Sequence, residues 1–428
     1  MKEAEHPVIL LTVDSLRADY VSKEYLPKSR RVLDTDFVEF TNAKSYGVAT
    51  PFAFPGIIAG MHPLADGKIP DESTTIAEAI PGESVGLANN VHLRPERGYS
   101  RGFSRFEEYP TSNREKERGL GDIIGTITDN LVDKAQNVDI IRNSSIANRI
   151  HSRLLSEEIP IAYRTAPEMV DIVKDAIGDD VPALVWGHWM DPHHPYHPET
   201  AVDPPSSMPS VTEIGNILDK VLKNPGNLTA EEGEIARRLY AANIRYYDKH
   251  FANLLSWIQD KPWYDDAFIA IVSDHGEYFG EHGLYFHEWT HDPHNEAINT
   301  PLWVKYPEQE NGGDNYNHLV GHGDILATIE SCLLNSNSKA PAHTTALQEK
   351  EERHIVSVSN VSKRLTESSG VHFVRRSGEM KTRGETSEDG KQFLEGIQFP
   401  ECRNSKGEAK GIKKAEREQR LQNLGYLN

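Results

Sequence analysis

The chain has 428 residues, which is enough to bury a large core and favours a large α/β body with a smaller appendage. Its formal net charge of -19 argues against nucleic-acid binding, because that affinity depends mainly on Lys and Arg side chains that neutralise phosphates. Its two cysteines cannot form a disulfide framework, and no apolar run is long enough to span a membrane. We therefore expect a cytoplasmic protein without a transmembrane segment.

Three short, continuous apolar runs predict buried strands at residues 8–13, 183–186 and 267–272. Helical patterns at 165–177 and 231–258 lie between them along the chain. This alternation predicts an α/β fold with a mixed, mainly parallel sheet flanked by helices.

Composition sets three further segments apart. Residues 113–158 are polar and helix-prone, and we interpret them as a helical insertion or lid within a main domain of residues 1–335. Residues 336–350 are loop-like and form the predicted linker. In residues 351–428, short apolar runs and a charged end predict a small C-terminal subdomain with a sheet and a helix.

Two of the predicted strands lead into residues that can bind a metal ion. Asp14 follows the first strand, and Asp274 and His275 follow the third. Because the carboxyl ends of parallel strands open into one crevice, we expect these side chains to lie together. Two carboxylates and an imidazole suit Zn or Mn, with Ca or Mg as the alternatives. Taken alone, either acidic strand end could be a solvated turn or a helix cap.

The segment at residues 50–60 reads as a loop that enters a helix, with Thr50 near the positive N-terminus. A hydroxyl in contact with a cation at such a place can be held as an alkoxide and can attack phosphorus or sulfur. The alternative is a plain N-cap threonine, which is the more common role for this residue type.

Several motifs resemble, in order and approximate spacing, those of sulfatase-like enzymes of the alkaline phosphatase superfamily. They comprise residues 12–20, 50–60 with Pro63, Asn90 to Leu93, 101–103, 191–196, 273–277, 280–283, and Glu296 leading to Pro301 and Leu302. The resemblance covers roughly residues 7 to 335 and implies an alkaline-phosphatase-like catalytic domain.

Carried over position by position, the resemblance implies metal ligands at Asp14, Asp274 and His275. It places the nucleophile at Thr50, which would also contact the metal.

The resemblance also implies a set of histidines around the substrate. His194 matches the histidine that contacts the oxyanion of the substrate, and His92 matches another histidine near the nucleophile. A further cationic residue falls just after Gly283, where His287 and His291 are the candidates and His287 is preferred. Any of these rings could protonate the leaving oxygen, since imidazole titrates near neutral pH.

The other histidines of the same region are His188, His193 and His197, which we interpret as polar residues of a histidine-rich loop. An alternative role for this region is a second metal site formed by Asp191 and His194, for which only these two candidate ligands are visible.

The sequence departs from typical sulfatases at the nucleophile. Those enzymes oxidise a Cys or Ser to formylglycine within a C/S-x-P-x-R pattern, whereas this chain has Thr50 and Phe54. Val13 and Asn90 replace a second Asp and a Lys of the family pattern. The predicted ligand set of this chain therefore resembles more closely that of the threonine-using phosphotransferases and phosphodiesterases of the superfamily, which often bind Zn or Mn.

The resemblance thus implies a metal-dependent hydrolase that cleaves a sulfate or phosphate ester of a small molecule or glycan through a covalent Thr50 intermediate. One alternative is a phosphotransferase that moves a phosphoryl-type group to a sugar or lipid acceptor. The other is an inactive binding protein on the same fold, because Val13 and Phe54 break the family pattern.

Overall fold

The computed structural model describes residues 6–64, 66–108, 161, 163–203, 208–334 and 339–400. The predicted insertion at 113–158 lies outside the described residues, and so does the chain end from residue 401.

The described residues contain fourteen strands: β1 (Val8–Val13), β2 (Val38–Phe40), β3 (Ala43–Lys44), β4 (Ser84–Leu87), β5 (Arg105–Glu107), β6 (Leu184–Trp189), β7 (Phe268–Ser273), β8 (Leu302–Lys305), β9 (Asn315–Tyr316), β10 (Val320–Gly321), β11 (Ile355–Val358), β12 (Ser362–Thr366), β13 (Gly370–Arg375) and β14 (Met380–Gly384). Eight of them form the central sheet in the order β5-β4-β6-β1-β7-β8-β2-β9. Only the pairs that β8 makes with β7 and β2 are antiparallel, so the sheet is mainly parallel, as predicted.

The same residues contain nine α-helices: α1 (Arg30–Asp36), α2 (Thr50–Ala59), α3 (Ile76–Ala79), α4 (Ala166–Ile177), α5 (Val211–Lys223), α6 (Ala230–Gln259), α7 (Asn295–Ile298), α8 (Asp324–Leu333) and α9 (Glu388–Gly396). The long helix α6 begins with a capping box in which Thr229 and Glu232 satisfy each other's backbone N–H groups. Such reciprocal caps explain why this helix begins at Ala230.

Helices cover both faces of the central sheet. All six residues of β1 are buried, and they alternate between two cores. Ile9 and Leu11 join the core built with α4, α5 and α6, whereas Val8 and Leu10 join the core built with α2 and α8. Burial on both faces explains why β1 reads as a continuous apolar run.

The C-terminal part forms a separate antiparallel sheet in the order β11-β12-β13-β14, with α9 packed against β12. This subdomain was expected, and its sheet does not insert into the central sheet. No helix of the described ranges is both long and apolar enough to cross a membrane.

Candidate active site

Parallel pairing of β1 with β7 brings two acidic residues side by side. Val13 pairs with Ser273, so Asp14 and Asp274 are the next residues on adjacent strands. The N–H of Asp274 donates to the Val13 carbonyl over 3.1 Å, which continues the ladder by one step. Both carboxyl groups are fully buried. The crevice predicted at the carboxyl ends of the strands is therefore present.

Thr50 is the first residue of α2 and is fully buried against this pair. Its hydroxyl donates to Asp14 Oδ2 over 3.2 Å and lies 3.3 Å from His275 Nε2. Pro51 follows it, which suits the first turn of a helix because the backbone N–H groups there have no intrahelical partner. Thr50 thus stands at the positive end of α2, within reach of the acidic pair.

Asp14, Asp274 and His275 form a group that fits a divalent cation. One potential ligand atom from each residue lies within 4.8 Å of the others. His275 Nδ1 donates to the Gly276 carbonyl over 2.8 Å, which fixes the tautomer and leaves Nε2 to face the two carboxylates. Asp274 Oδ2 is buried and has no hydrogen-bond partner among the described residues. A buried carboxylate oxygen of this kind needs a compensating positive charge.

The pKa values of Asp14 and Asp274 also indicate that the site fits a cation. Burial, and then the negative charge of Asp14, raise the pKa of Asp274 well above its usual range. Burial would also raise the pKa of Asp14, but its attraction to His193, His188 and His275 lowers it well below the usual range. Two adjacent buried carboxylates cannot both ionise without a cation nearby, so the residues present fit a bound metal ion.

Asn90 links Asp14 to the hydroxyl of Thr50. Its side-chain amide donates to Asp14 Oδ2 over 2.8 Å and to Thr50 Oγ1 over 3.3 Å. Where the family pattern has a charged lysine, this chain therefore has a neutral donor to Asp14 and Thr50.

Two histidines that we interpreted as plain loop residues lie at the site, and that interpretation was wrong. His188 belongs to β6, and its Nε2 atom is 3.4 Å from Asp14 Oδ2. His193 Nε2 is 4.0 Å from Asp14 Oδ1. Strand register explains why His188 lies at the site. His188 pairs with Thr12, which is two residues before Asp14, so the side chains of His188 and Asp14 project from the same face of the sheet.

His194 occupies a different place from the one that the resemblance implies. Its Nε2 atom donates to the Leu218 carbonyl of α5 over 3.1 Å, and burial lowers its pKa to about 3. Asp191 Oδ1 accepts the N–H of Ala166 at the start of α4 over 2.8 Å. Asp191 and His194 thus each make a hydrogen bond to a different helix, and of the two adjacent histidines it is His193 that faces Asp14.

His287 is the histidine after Gly283 that reaches the cluster. Its ring centroid lies 4.3 Å from that of His275, and its Nδ1 donates to the buried carboxylate of Glu277 over 3.1 Å. His291 instead packs edge-on against Tyr278, with 5.4 Å between ring centroids. The preference for His287 over His291 agrees with this placement.

His92 lies next to the amide that holds Asp14. Its backbone N–H donates to Asn90 Oδ1 over 2.9 Å, and its ring packs edge-on against Trp289 with 5.5 Å between centroids. His92 therefore supports the position of Asn90 through the main chain.

Sequence reasoning missed Asn90, His188, His193 and Glu277 as parts of the site. A signal existed for His188. Leu184, Trp186 and His188 are two residues apart, so their side chains lie on one face of β6, which extends beyond the predicted strand end at residue 186. Glu277 is the last residue of the motif at 273–277, so its closeness to Asp274 was also predictable.

A mainly parallel sheet, with acidic strand ends that meet a helix-terminal hydroxyl, defines the class of the protein as an alkaline-phosphatase-like α/β fold. The phosphonate monoester hydrolase of Agrobacterium radiobacter is similar in structure, with a TM-score of 0.61, 15% identity, and coverage of 91% of this chain and 90% of that one. The lipoteichoic acid synthase LtaP of Listeria monocytogenes has a TM-score of 0.57, 12% identity, and coverage of 92% and 89%. These likenesses concern the fold.

Residues 7–335 match the Sulfatase family, and the chain belongs to that family. A choline-sulfatase of Rhizobium meliloti (strain 1021) is 38% identical over 60 residues. That stretch spans 14% of this chain and 12% of that protein. Membership of this family supports ester hydrolysis as the general activity of the chain.

Proposed function

We propose that the chain is a metal-dependent hydrolase of phosphate-type or sulfate esters in which Thr50 is the nucleophile. The observation that carries this proposal is the position of the Thr50 hydroxyl. It lies 3.2 Å from Asp14 Oδ2 and 3.3 Å from His275 Nε2, which belong to two of the three residues that could hold a cation. A plain cap threonine would have no reason to share its oxygen with a ligand set.

Asp14, Asp274 and His275 would hold the cation, with Thr50 as a fourth ligand. Mixed carboxylate and imidazole donors favour Zn or Mn over Ca or Mg. When bound, such an ion offsets the charge on the oxygens of the transferred group and favours the ionised form of a hydroxyl in contact with it.

The chain's own residues then supply the covalent step. Thr50 Oγ1 forms a bond to the phosphorus or sulfur atom as the bond from that atom to the ester oxygen breaks. The Thr50 hydroxyl donates a hydrogen bond to Asp14 Oδ2, and its proton passes to water as the new bond forms. Asn90 donates to the same two oxygens and keeps them in register. Water then cleaves the threonine ester and restores the free hydroxyl.

His193 and His287 are the candidates for binding the anionic group and for moving protons. Burial is the main cause that lowers the pKa of both rings, so both are neutral without substrate. An anionic substrate favours the protonated form of a nearby imidazole. Substrate binding would therefore bring in the proton that the leaving oxygen needs.

Threonine favours phosphorus over sulfur as the atom attacked. It cannot be converted to formylglycine, so the hemiacetal route by which typical sulfatases release sulfate is closed to Thr50. The structural similarity to a phosphonate monoester hydrolase is compatible with this choice.

The proposal is tested with a panel of phosphate monoesters, phosphodiesters, phosphonates and aryl sulfates, each assayed with Zn, Mn, Mg and Ca. We expect a phosphorus ester with Zn or Mn to be turned over, Thr50→Ser to keep a measurable fraction, and Thr50→Ala to lose nearly all turnover. Product analysis with added sugar or lipid alcohols separates hydrolysis from transfer.

Thr75→Ala is the matched control, because Thr75 is a buried threonine that does cap a helix, accepting the Glu78 N–H. It should lose about 1 kcal/mol of stability and keep its turnover. The N-cap position of α2 is Ala49, so Thr50 is not the cap of its own helix. If Thr50→Ala keeps its turnover as Thr75→Ala does, Thr50 is not the nucleophile and the proposal fails.

A further inference from the structure

One face of the C-terminal sheet carries a cluster of cations. In the antiparallel register, Arg364 of β12 lies opposite Phe373 of β13, which in turn lies opposite Lys381 of β14. Arg383 is two residues along from Lys381 and therefore projects from the same face. This concentration of positive charge stands out in a chain whose formal net charge is -19.

The cationic face forms one wall of a groove of about 610 Å³, and the segment from His282 to Glu296 forms the opposite wall. The lining residues include none of Asp14, Thr50, Asp274 or His275, so the groove is a place distinct from the candidate active site. We call it the C-terminal groove.

The charges of the C-terminal groove do not cancel within it. Arg375 forms ion pairs with Asp292 and, over 3.3 Å, with Glu379. Glu296 lies 3.2 Å from the ring of His282. These contacts engage the three acidic residues that line the groove. Among the described residues, Lys381 and Arg383 have no ion-pair partner.

Arg364 adds a buried donor at the base of the groove. Its side chain is only 6% exposed, and one nitrogen donates to the Pro293 carbonyl over 3.1 Å. Its Nε atom is buried without a hydrogen-bond partner among the described residues. A guanidinium N–H left unsatisfied in this way costs free energy, and an anionic ligand in the groove would satisfy it.

We propose that the C-terminal groove binds a ligand that carries at least two anionic groups, such as sulfates, phosphates or carboxylates. Arg364, Lys381 and Arg383 are the binding residues. Residues two apart on a strand are separated by about 7 Å, and two strand spacings span about 10 Å, so the anionic groups need separations of this order. A multiply sulfated or phosphorylated sugar meets that requirement, whereas a single inorganic anion can meet only one cation at a time.

The test is calorimetric titration of the full chain with a disulfated disaccharide, its unsulfated parent and inorganic sulfate. We expect the disulfated compound to bind most tightly and its affinity to fall as salt is added. The double variant Lys381→Gln with Arg383→Gln removes two charge-assisted contacts and should weaken binding at least about tenfold. Both residues lie on the exposed strand β14, so this variant should fold.

The matched control is the double variant Lys350→Gln with Lys391→Gln, which removes the same charge outside the groove and should bind as the wild type does. Turnover of a small ester should be unchanged in both double variants, because neither alters the candidate active site. Equal affinity of the wild type and the Lys381→Gln, Arg383→Gln variant would overturn the proposal, since the ligand would then bind elsewhere. Equal binding of the unsulfated parent would overturn it as well.

Discussion

His287 donates its Nδ1 proton to the buried carboxylate of Glu277, while its ring lies 4.3 Å from that of His275. Tyr196 donates to Oε2 of the same carboxylate over 3.0 Å. Glu277 thus fixes the orientation of a histidine that faces the candidate active site, as outer-shell carboxylates do for metal-binding histidines.

Glu277→Gln is expected to lower kcat/KM about 10- to 100-fold with little loss of bound metal, because it disturbs the orientation of His287 and leaves the metal ligands in place. Tyr196→Phe removes only the second contact to the carboxylate and should have a smaller effect. Steady-state kinetics and metal analysis on the same samples check this. A Glu277→Gln enzyme with wild-type kcat/KM would show that His287 has no need of this partner.

Asp274→Asn is expected to lose metal and activity together, since it removes one of few charged ligands. Asp191→Asn is a suitable control because Asp191 is also buried but accepts the Ala166 N–H instead. Elemental analysis of the purified proteins should find metal in the wild type and in Asp191→Asn. Full metal content in Asp274→Asn would contradict the ligand assignment.

The pH dependence of stability should reveal the buried Asp191. Burial raises its pKa from 3.8 to about 7, so the folded protein holds this proton over a range in which the unfolded chain has lost it. Its contribution to the free energy of unfolding is full below pH ~4, falls as the pH rises to ~7, and is constant above that.

Asp191→Asn removes this titration, so its stability relative to the wild type should rise by about 2 to 3 kcal/mol between pH 5 and pH 8. Urea unfolding at the two pH values measures the difference. A stability difference that does not change with pH would mean that Asp191 titrates normally in the folded protein.

Gly276 lies between His275 and Glu277. Its backbone packs against Glu296, which also lines the C-terminal groove. A Cβ atom at this position would lie 2.0 Å from the Glu296 carbonyl oxygen, so Gly276→Ala forces the backbone to shift. We expect a loss of about 1 to 3 kcal/mol in stability and a marked fall in turnover, because His275 and Glu277 flank the shifted residue.

Gly215→Ala tests whether that loss is specific. Gly215 lies in α5, nothing occupies the space around its Cβ position within 4 Å, and alanine should stabilise the helix by about 0.5 to 1 kcal/mol. Thermal unfolding of both variants gives the comparison. Equal effects of the two substitutions would refute the close-contact argument.

The cluster of Asp14, Asp274 and His275 was predictable from the sequence because local patterns determine where the two strands end. The run at residues 8–13 matches β1, and the run at 267–272 differs from β7 by one residue at each end. Parallel strands whose ends carry Asp14 and Asp274 must bring those residues together.

The histidines were harder to predict because their side-chain directions depend on tertiary packing. His193 and His194 are neighbours, and only the path of the loop after β6 decides that His193 faces Asp14 while His194 meets Leu218 in α5. The C-terminal groove likewise depends on the register that aligns Arg364 with Lys381 across β13. No periodicity within a single segment contains that information.

If Thr50 is the nucleophile, it becomes covalently bonded to the transferred group during turnover. The most direct measurement is mass spectrometry of peptides from enzyme that is mixed with a slowly cleaved phosphorus ester and quenched in acid during turnover. We expect one phosphoryl-type group on the peptide that contains Thr50, located at that residue, and none in Thr50→Ala. Turnover by the wild type with no modified Thr50, or with the group on another residue, would contradict it.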